Sequence, residues 1–336
     1  MNTIGTILRF TDFGESHGPA VGGVLDGMPA GIEIDTSLID EMMRRRRPGT
    51  SATVSARRES DSVRFLSGIL DGRTLGTPIA FIIENEDARS ADYDAMRDVY
   101  RPNHADYTYD AKYGIRDWRG GGRASARETA ARVVAGALAM HILKSAGISL
   151  DVHTEAIGGC TDTSRFDEIL ASARSVGDTV GAVVRCNIDG VPAGLGEPVF
   201  GKLQAMLAAA MMSINAAKGF DYGDGFAAAA SRGSEQCDQF YFNAETGRIA
   251  TRSNHSGGIQ GGISNGERIT FRVAFKPIAT MMRTVTTVDR QGKEVELKMK
   301  GRHDVCVVPR ALVVVEAMAA LVMADALLLS RLSCVR

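Results

Sequence analysis

Tryptophan occurs once in the 336 residues, and neither sign of charge prevails: 39 lysines and arginines face 40 acids. A net charge of −1 supplies no basic field for a polynucleotide, so nucleic acid is not an expected partner. The cysteines (Cys160, Cys186, Cys237, Cys306 and Cys334) show no CxxC and no metal-ligand spacing. They read as reduced thiols of a cytoplasmic protein, with no disulfide framework and no metal site expected. No GxGxxG follows a strand and no P-loop ends in Lys-Ser or Lys-Thr, which argues against a dinucleotide fold and an NTPase. Carboxylate clusters suited to a metal-dependent phosphatase are missing too. No signal peptide is expected, because Met1 to Thr11 is polar and strand-like.

What is present is an ordinary globular balance, 44% hydrophobic and 24% charged, in a chain long enough to bury a large core. Ala311 to Leu329 has the length to span a bilayer but contains Glu316 and Asp325. Each acid costs about 2.5–3.5 kcal/mol near a bilayer centre, so a helix buried in the core or at a subunit interface is expected, with no membrane partner. Strands are predicted at Thr6–Phe10, Ala20–Leu25, Val63–Leu70 and Ile79–Glu84, with Asp71-Gly72 a turn between the last two. Ile269, Phe271, Val273 and Phe275 alternate with more polar neighbours, as in a strand with one buried face, and 294–300 alternates likewise. Ser37 with Asp40 resembles a capping pair for a helix ending in Arg44–Arg47. Ser125 with Glu128 does the same for a long helix to about Ala146, stopped by Gly147. Further helices are predicted at Arg165–Arg174, Lys202–Ile214 and Ala311–Leu329. No repeat or long linker divides the chain. Strands and helices mix without regular alternation, so the predicted class is α+β, a layered single domain over 1–336.

Four constellations carry candidate chemistry. In Gly14-Glu15-Ser16-His17-Gly18 the glycines let the backbone turn and expose His17, an imidazole titrating near neutrality. Alone, it is also compatible with a turn histidine of no role. Arg101-Pro102-Asn103-His104-Ala105-Asp106 sets a guanidinium three residues before an imidazole, suited to binding an anion and handling a proton. Asp106 can instead pair with Arg101 as a structural salt bridge. The loop Arg119-Gly120-Gly121-Gly122-Arg123 runs into a capped helix, where free N–H groups, the helix dipole, Arg123 and Arg127 suit a phosphate. The alternative is glycines serving helix packing alone. In Gly301-Arg302-His303-Asp304 the Arg and Asp point one way, as an anion site beside a proton acceptor or as a self-satisfied pair. The run Arg44–Arg47, with Arg57 and Arg58 behind it, reads by itself as a solvated helix end.

Taken in order, these and other motifs resemble the chorismate synthases. They are GESHG, RRRPG (Arg45–Gly49), HADYTY (His104–Tyr109), KYGIRD (Lys112–Asp117), GGGR followed by SARET, VPAGLGEPVF (Val191–Phe200), MSINA (Met212–Ala216), SNHSGGIQGGISNGE (Ser253–Glu267) and KGRHD. Each is moderately specific; together they run from about Thr3 to Leu329, with the stretch Asp151 to Asp178 shorter than in many members.

The resemblance implies a shikimate-pathway lyase that converts 5-enolpyruvylshikimate 3-phosphate to chorismate and phosphate by trans-1,4 elimination, using reduced FMN without net redox change. It implies a homotetramer of β-α-β sandwiches with helices between sheets. NADP comes with it as an associated nucleotide, and an external flavin reductase is the expected source of reductant. By position, the flavin would lie against Arg123, Ala124, Ser125, Asn215, Ala216, Gly261, Lys276, Pro277, Ile278, Ala279, Thr280 and Arg302. The anionic small-molecule substrate would meet Arg46, Arg101 and Arg127. His17 would protonate the departing phosphate and His104 the reduced flavin, while Asp304 would help flavin N5 accept the C6 proton.

Three positions depart from the family pattern: Ala52 in place of an arginine, Ala124 in place of a serine, and Asn103 in place of a glycine. Two other readings stand beside the lyase. A non-catalytic anion-binding module needs the arginines but not both histidines and Asp304, and a phosphatase would want carboxylate clusters.

Overall fold

In a computed structural model describing residues 1–47, 59–86, 90–298 and 304–333, two antiparallel sheets enclose a layer of helices. The first sheet runs in the order Thr3–Ile4, Arg9–Phe13, Ala20–Asp26, Ile79–Glu84, Val63–Phe65. The second runs Ala217–Tyr222, Ile269–Phe275, Ala182–Asp189, Ser149–Ile157. The helices are α1 (Thr36–Arg46), α2 (Asp106–Tyr113), α3 (Thr129–Ser145), α4 (Phe166–Ser175), α5 (Leu203–Met212) and α6 (Arg310–Ser330). α3 lies on the first sheet, α6 on the second, and the two pack against each other, so helices fill the space between sheets as expected.

The alternation at Ile269–Phe275 is realised residue by residue. Ile269, Phe271, Val273 and Phe275 are buried and the residues between them are half-exposed. Ala182–Asp189 beside it repeats the pattern, with Phe271 opposite Cys186. Burying such side chains contributes about 1.5–3 kcal/mol each. Across the middle layer, a Cβ on Gly136 of α3 would stand 2.4 Å from the Cα of Ala317 on α6, so this glycine sets how closely the two helices approach.

α6 resolves the question its composition raised. Of its most apolar stretch, 83% is buried within the chain. Its two acids are paired: Glu316 lies 2.7 Å from Arg45, and Asp325 accepts the backbone N–H groups of Thr6, Ile7 and Leu8 at 2.8, 2.7 and 2.9 Å. These bonds also correct the first strand. Residues 6–8 give their N–H groups to α6 rather than to a neighbouring strand, so the strand begins at Arg9.

Other boundaries moved for local reasons. Asp35, not Ser37, caps α1, its carboxylate accepting the Ser37 N–H at 3.0 Å. Ser125 caps a short 3-10 turn, Ala126–Glu128, and α3 starts after it; Glu128 turns away to Arg132. The predicted strand Val63–Leu70 breaks after Phe65. Asp71-Gly72, with φ of 48° and 74°, closes a small hairpin of Ile69–Leu70 with Arg73–Thr74 instead of linking two long strands.

Candidate active site

A cleft of about 1890 Å³ opens beside the start of α3. Its walls come from the end of the strand Arg9–Phe13, the 101–106 and 120–129 segments, the turn after α5, residues 276–280 and the start of α6. Fourteen of the eighteen residues expected from the sequence fall in that lining: Arg46, Arg101, His104, Arg123, Ala124, Ser125, Arg127, Asn215, Ala216, Lys276, Ile278, Ala279, Thr280 and Asp304. His17, Pro277 and Gly261 are not in it, and Arg302 lies outside the described residues, as do Ala52, Arg57 and Arg58.

His17 sits one residue behind the lining. Its Nδ1 is 3.2 Å from the Oγ of Ser16, which does face the cleft, and its ring meets Tyr93 edge-on at 5.1 Å. A Cβ on Gly120 would fall 2.1 Å from His17 Nδ1, so the imidazole occupies the space that glycine leaves. Gly261 turns the hairpin between Ile259–Gln260 and Ile263–Ser264. Its neighbour Gly262 comes so near the Glu197 carbonyl that a Cβ would sit 2.4 Å away. Gly262 thus brings backbone against backbone, while a Cβ on Gly261 would meet nothing within 4 Å.

The 101–106 segment realises the salt-bridge reading and the histidine reading at once. Arg101 grips Asp106 through Nε and Nη2 at 2.7 and 2.8 Å, and His104 Nδ1 lies 3.1 Å from the same carboxylate. Burial alone would raise Asp106, but the bonds from Arg101 and His104 hold it well below the usual carboxylate range. Burial pushes His104 below its ordinary value despite Asp106, which favours the neutral imidazole. Asn103 adopts φ of 60°, a left-handed conformation that asparagine accepts better than most residues. Its carbonyl accepts from Lys276 Nζ at 2.6 Å. Asp106 also opens α2, a helix the sequence pattern did not reveal.

The arginine run divides by exposure. Arg44 is exposed beside Glu41, Arg45 reaches Glu316, and Arg46 is 1% exposed with Nη2 2.6 Å from Asp61. Arg127 bonds the same Asp61 from the other side, and gives Nε to Asn85 at 2.7 Å and Nη2 to the Glu84 carbonyl at 2.9 Å. Arg127 is thus held by protein at all three nitrogens. Arg46 is not: its Nε and Nη1 are buried without a hydrogen-bond partner among the described residues. Burial lowers Arg46 to about 10, and although burial opposes ionisation of Asp61, the two guanidiniums hold that carboxyl at about 2.

Asn215 donates Nδ2 to the Ala124 carbonyl at 3.2 Å while its Oδ1 is buried with no hydrogen-bond partner among the described residues. Ala216, at φ of 67°, accepts the Lys276 N–H at 3.0 Å. Asp304 is paired with Nη1 of Arg310, the first residue of α6, at 2.8 Å, while the alternative Arg302–Asp304 pair falls on Arg302, outside the described residues. Sequence reasoning did not single out Asp12, Asp61, Arg132, Ser213 or Arg310, and used Glu128 only as a helix cap. Their partners are distant in sequence, so spacing gave no signal for most of them.

Fold and cleft together gather buried arginines, carboxylates and an imidazole around one large cavity. The comparisons with known proteins give the family. The chorismate synthase family model matches residues 8–328. The chorismate synthase of Parabacteroides distasonis is 54% identical, covering 98% of this chain and 99% of its own. That of Porphyromonas gingivalis is 53% identical, over 98% and 96%. A solved chorismate synthase structure superposes with a TM-score of 0.77 at 31% identity, over 97% of this chain and 92% of its own. The chain belongs to the chorismate synthase family, and its reaction is the flavin-dependent, shikimate-pathway conversion of 5-enolpyruvylshikimate 3-phosphate to chorismate and phosphate. Neither a binding module nor a phosphatase is supported by these relatives.

Proposed function

We propose that this cleft is where the elimination occurs, with Arg46 seating an anionic group of the substrate. The observation that carries the reading is the pair of buried donors on Arg46 that have no partner among the described residues, since a guanidinium so enclosed is costly unless an anion completes it. Arg101 and Arg127 shape the seat from behind, their nitrogens largely committed to Asp106, Asp61, Asn85 and Glu84.

The cleft also suits FMN. At about 1890 Å³ it exceeds an ordinary ligand pocket of ~300–1,000 Å³, leaving room for flavin and substrate together. The buried Asn215 Oδ1, with no partner among the described residues, calls for a donor, and Lys276 supplies a cation nearby. Arg123, Ala124, Ser125, Asn215, Ala216, Lys276 and residues 278–280 would hold the group, with Arg302, Pro277 and Gly261 assigned to it on family position alone. Reduced FMN, when bound, lends electron density to the allylic system and recovers it.

Asp304, oriented by Arg310, is the carboxylate that assists removal of the C6 proton. His104 directs Nδ1–H to the Asp106 carboxylate, which leaves Nε2 an acceptor in the neutral ring and a proton donor once the ring is an imidazolium. An arriving anion favours the imidazolium, reversing the effect of burial. His17 serves the departing phosphate through Ser16, its neighbour in the cleft wall. We further propose a cytoplasmic homotetramer of single-domain chains fed by an external flavin reductase, with NADP as an associated nucleotide. Release of chorismate under anaerobic conditions with dithionite-reduced FMN is the test. Phosphate release without chorismate would sink the reading.

A further inference from the structure

The mechanism leaves two buried acids of the cleft unused. Asp12, on the strand Arg9–Phe13, and Glu128, in the turn before α3, are 8% and 3% exposed and both line the cleft. Two guanidiniums flank them. Arg123 gives Nη2 to Asp12 and Nη1 to the Gly14 carbonyl at 3.0 Å. Arg132 gives Nε to Glu128 at 2.8 Å, lies 4.0 Å from Asp12 with the same atom, and gives Nη1 to Ser213 Oγ at 2.7 Å. Both carboxyls thus converge on one nitrogen, Arg132 Nε.

We propose that Asp12 and Glu128 share one proton and act as positioning residues for Arg123, so that an anion on that wall is held more tightly while the pair keeps its proton. Two enclosed carboxyls drawn to one guanidinium nitrogen repel each other when both are ionised, and enclosure penalises the second negative charge, so the pair favours keeping one hydrogen. Burial first, then the Asp12 charge, push Glu128 up to about 7 against the pull of Arg132. With both acids ionised the two guanidiniums are neutralised. With one proton kept, the wall carries one net positive charge and Arg123 is less tightly bound to Asp12.

The other groups facing the pair do not supply that titration near neutrality. Tyr109 of α2 is raised by burial, so it stays neutral there. Ser213 at the end of α5 and the carbonyls of Gly14 and Asn2, the latter accepting the Asp12 N–H at 3.2 Å, are uncharged. Proton loss from the pair therefore weakens anion binding as pH rises.

The inference rests on reading this wall as the flavin side, and the experiment separates the two. Infrared spectra of the ligand-free protein should show a protonated-carboxyl band at pH 6 that fades by pH 8.5 and is changed in Glu128→Gln. Oxidised FMN is then titrated by fluorescence with substrate saturating, from pH 6.5 to 8.5. The wild-type dissociation constant should rise about tenfold relative to that of Glu128→Gln or Asp12→Asn. Ionisation of ligands and of the histidines is common to all three proteins and cancels in the ratio. Parallel profiles, or no titrating carboxyl band, overturn the inference alone. If FMN fails to bind at any pH, the flavin reading falls with it.

Discussion

Asp61 shows how much one buried carboxylate organises. Its side chain is fully enclosed, and it stands between Arg46 and Arg127, the cleft's anion seat and the support behind it. Asp61→Asn leaves two enclosed cations without their shared counter-ion and should cost about 3–5 kcal/mol in urea unfolding. The pH dependence has a definite sign. The folded carboxyl is held at about 2, below its ordinary value, so the stability it contributes is present above about pH 4 and lost as pH falls toward 2. The substitution should flatten the acid limb of the unfolding curve in that window. An unchanged limb would mean the clamp contributes nothing. For the histidines, His17→Ala and His104→Ala should each lower turnover about 10²-fold with circular dichroism unchanged, as for the loss of an acid–base group. Full activity in either variant removes that ring from the mechanism.

At the scale of elements, legibility followed the range of the interaction. Ile269–Phe275 could be read directly, because alternating burial is written in adjacent residues. Arg46, His104, Arg123 and Asp304 were found by family motif, and the cleft does bring them together. The start of the first long strand could not be read, since Thr6, Ile7 and Leu8 are held by Asp325, more than 300 residues away. Asp12 and Asp61 stayed hidden likewise, as their guanidinium partners come from other segments. Gly136 looked like one small residue among many in α3, yet its lack of a side chain fixes the α3–α6 distance. Gly136→Ala should therefore destabilise by about 1–3 kcal/mol through overpacking, although alanine is the better helix former. A rise in melting temperature would show that the helices can part without loss.

At the scale of the whole molecule, the case for assembly changes its footing. The apolar excess of α6 suggested an interface, but that helix is covered by its own chain. The exposed apolar surface lies elsewhere. On the hairpin Phe240–Asn243 with Arg248–Thr251, Phe240 and Phe242 alternate to one face and Ile249 stands opposite Phe242. All three are exposed, as are Phe200 and Phe226 at 91% and 86%. Single exposed hydrophobes are normal on a monomer, but two phenylalanines and an isoleucine side by side on a two-stranded ribbon mark a contact surface. In a family expected to form tetramers, another copy of this chain is the natural cover, and symmetric assembly would bury the ridge in every subunit. Sedimentation equilibrium at micromolar concentration should give a tetramer. Replacing Phe240 and Phe242 together by Asp should shift the mass downward without unfolding the chain, since neither side chain belongs to the core. A wild-type monomer would overturn the assembly itself. A tetramer unaffected by the double substitution would leave assembly standing and place its interface on another face.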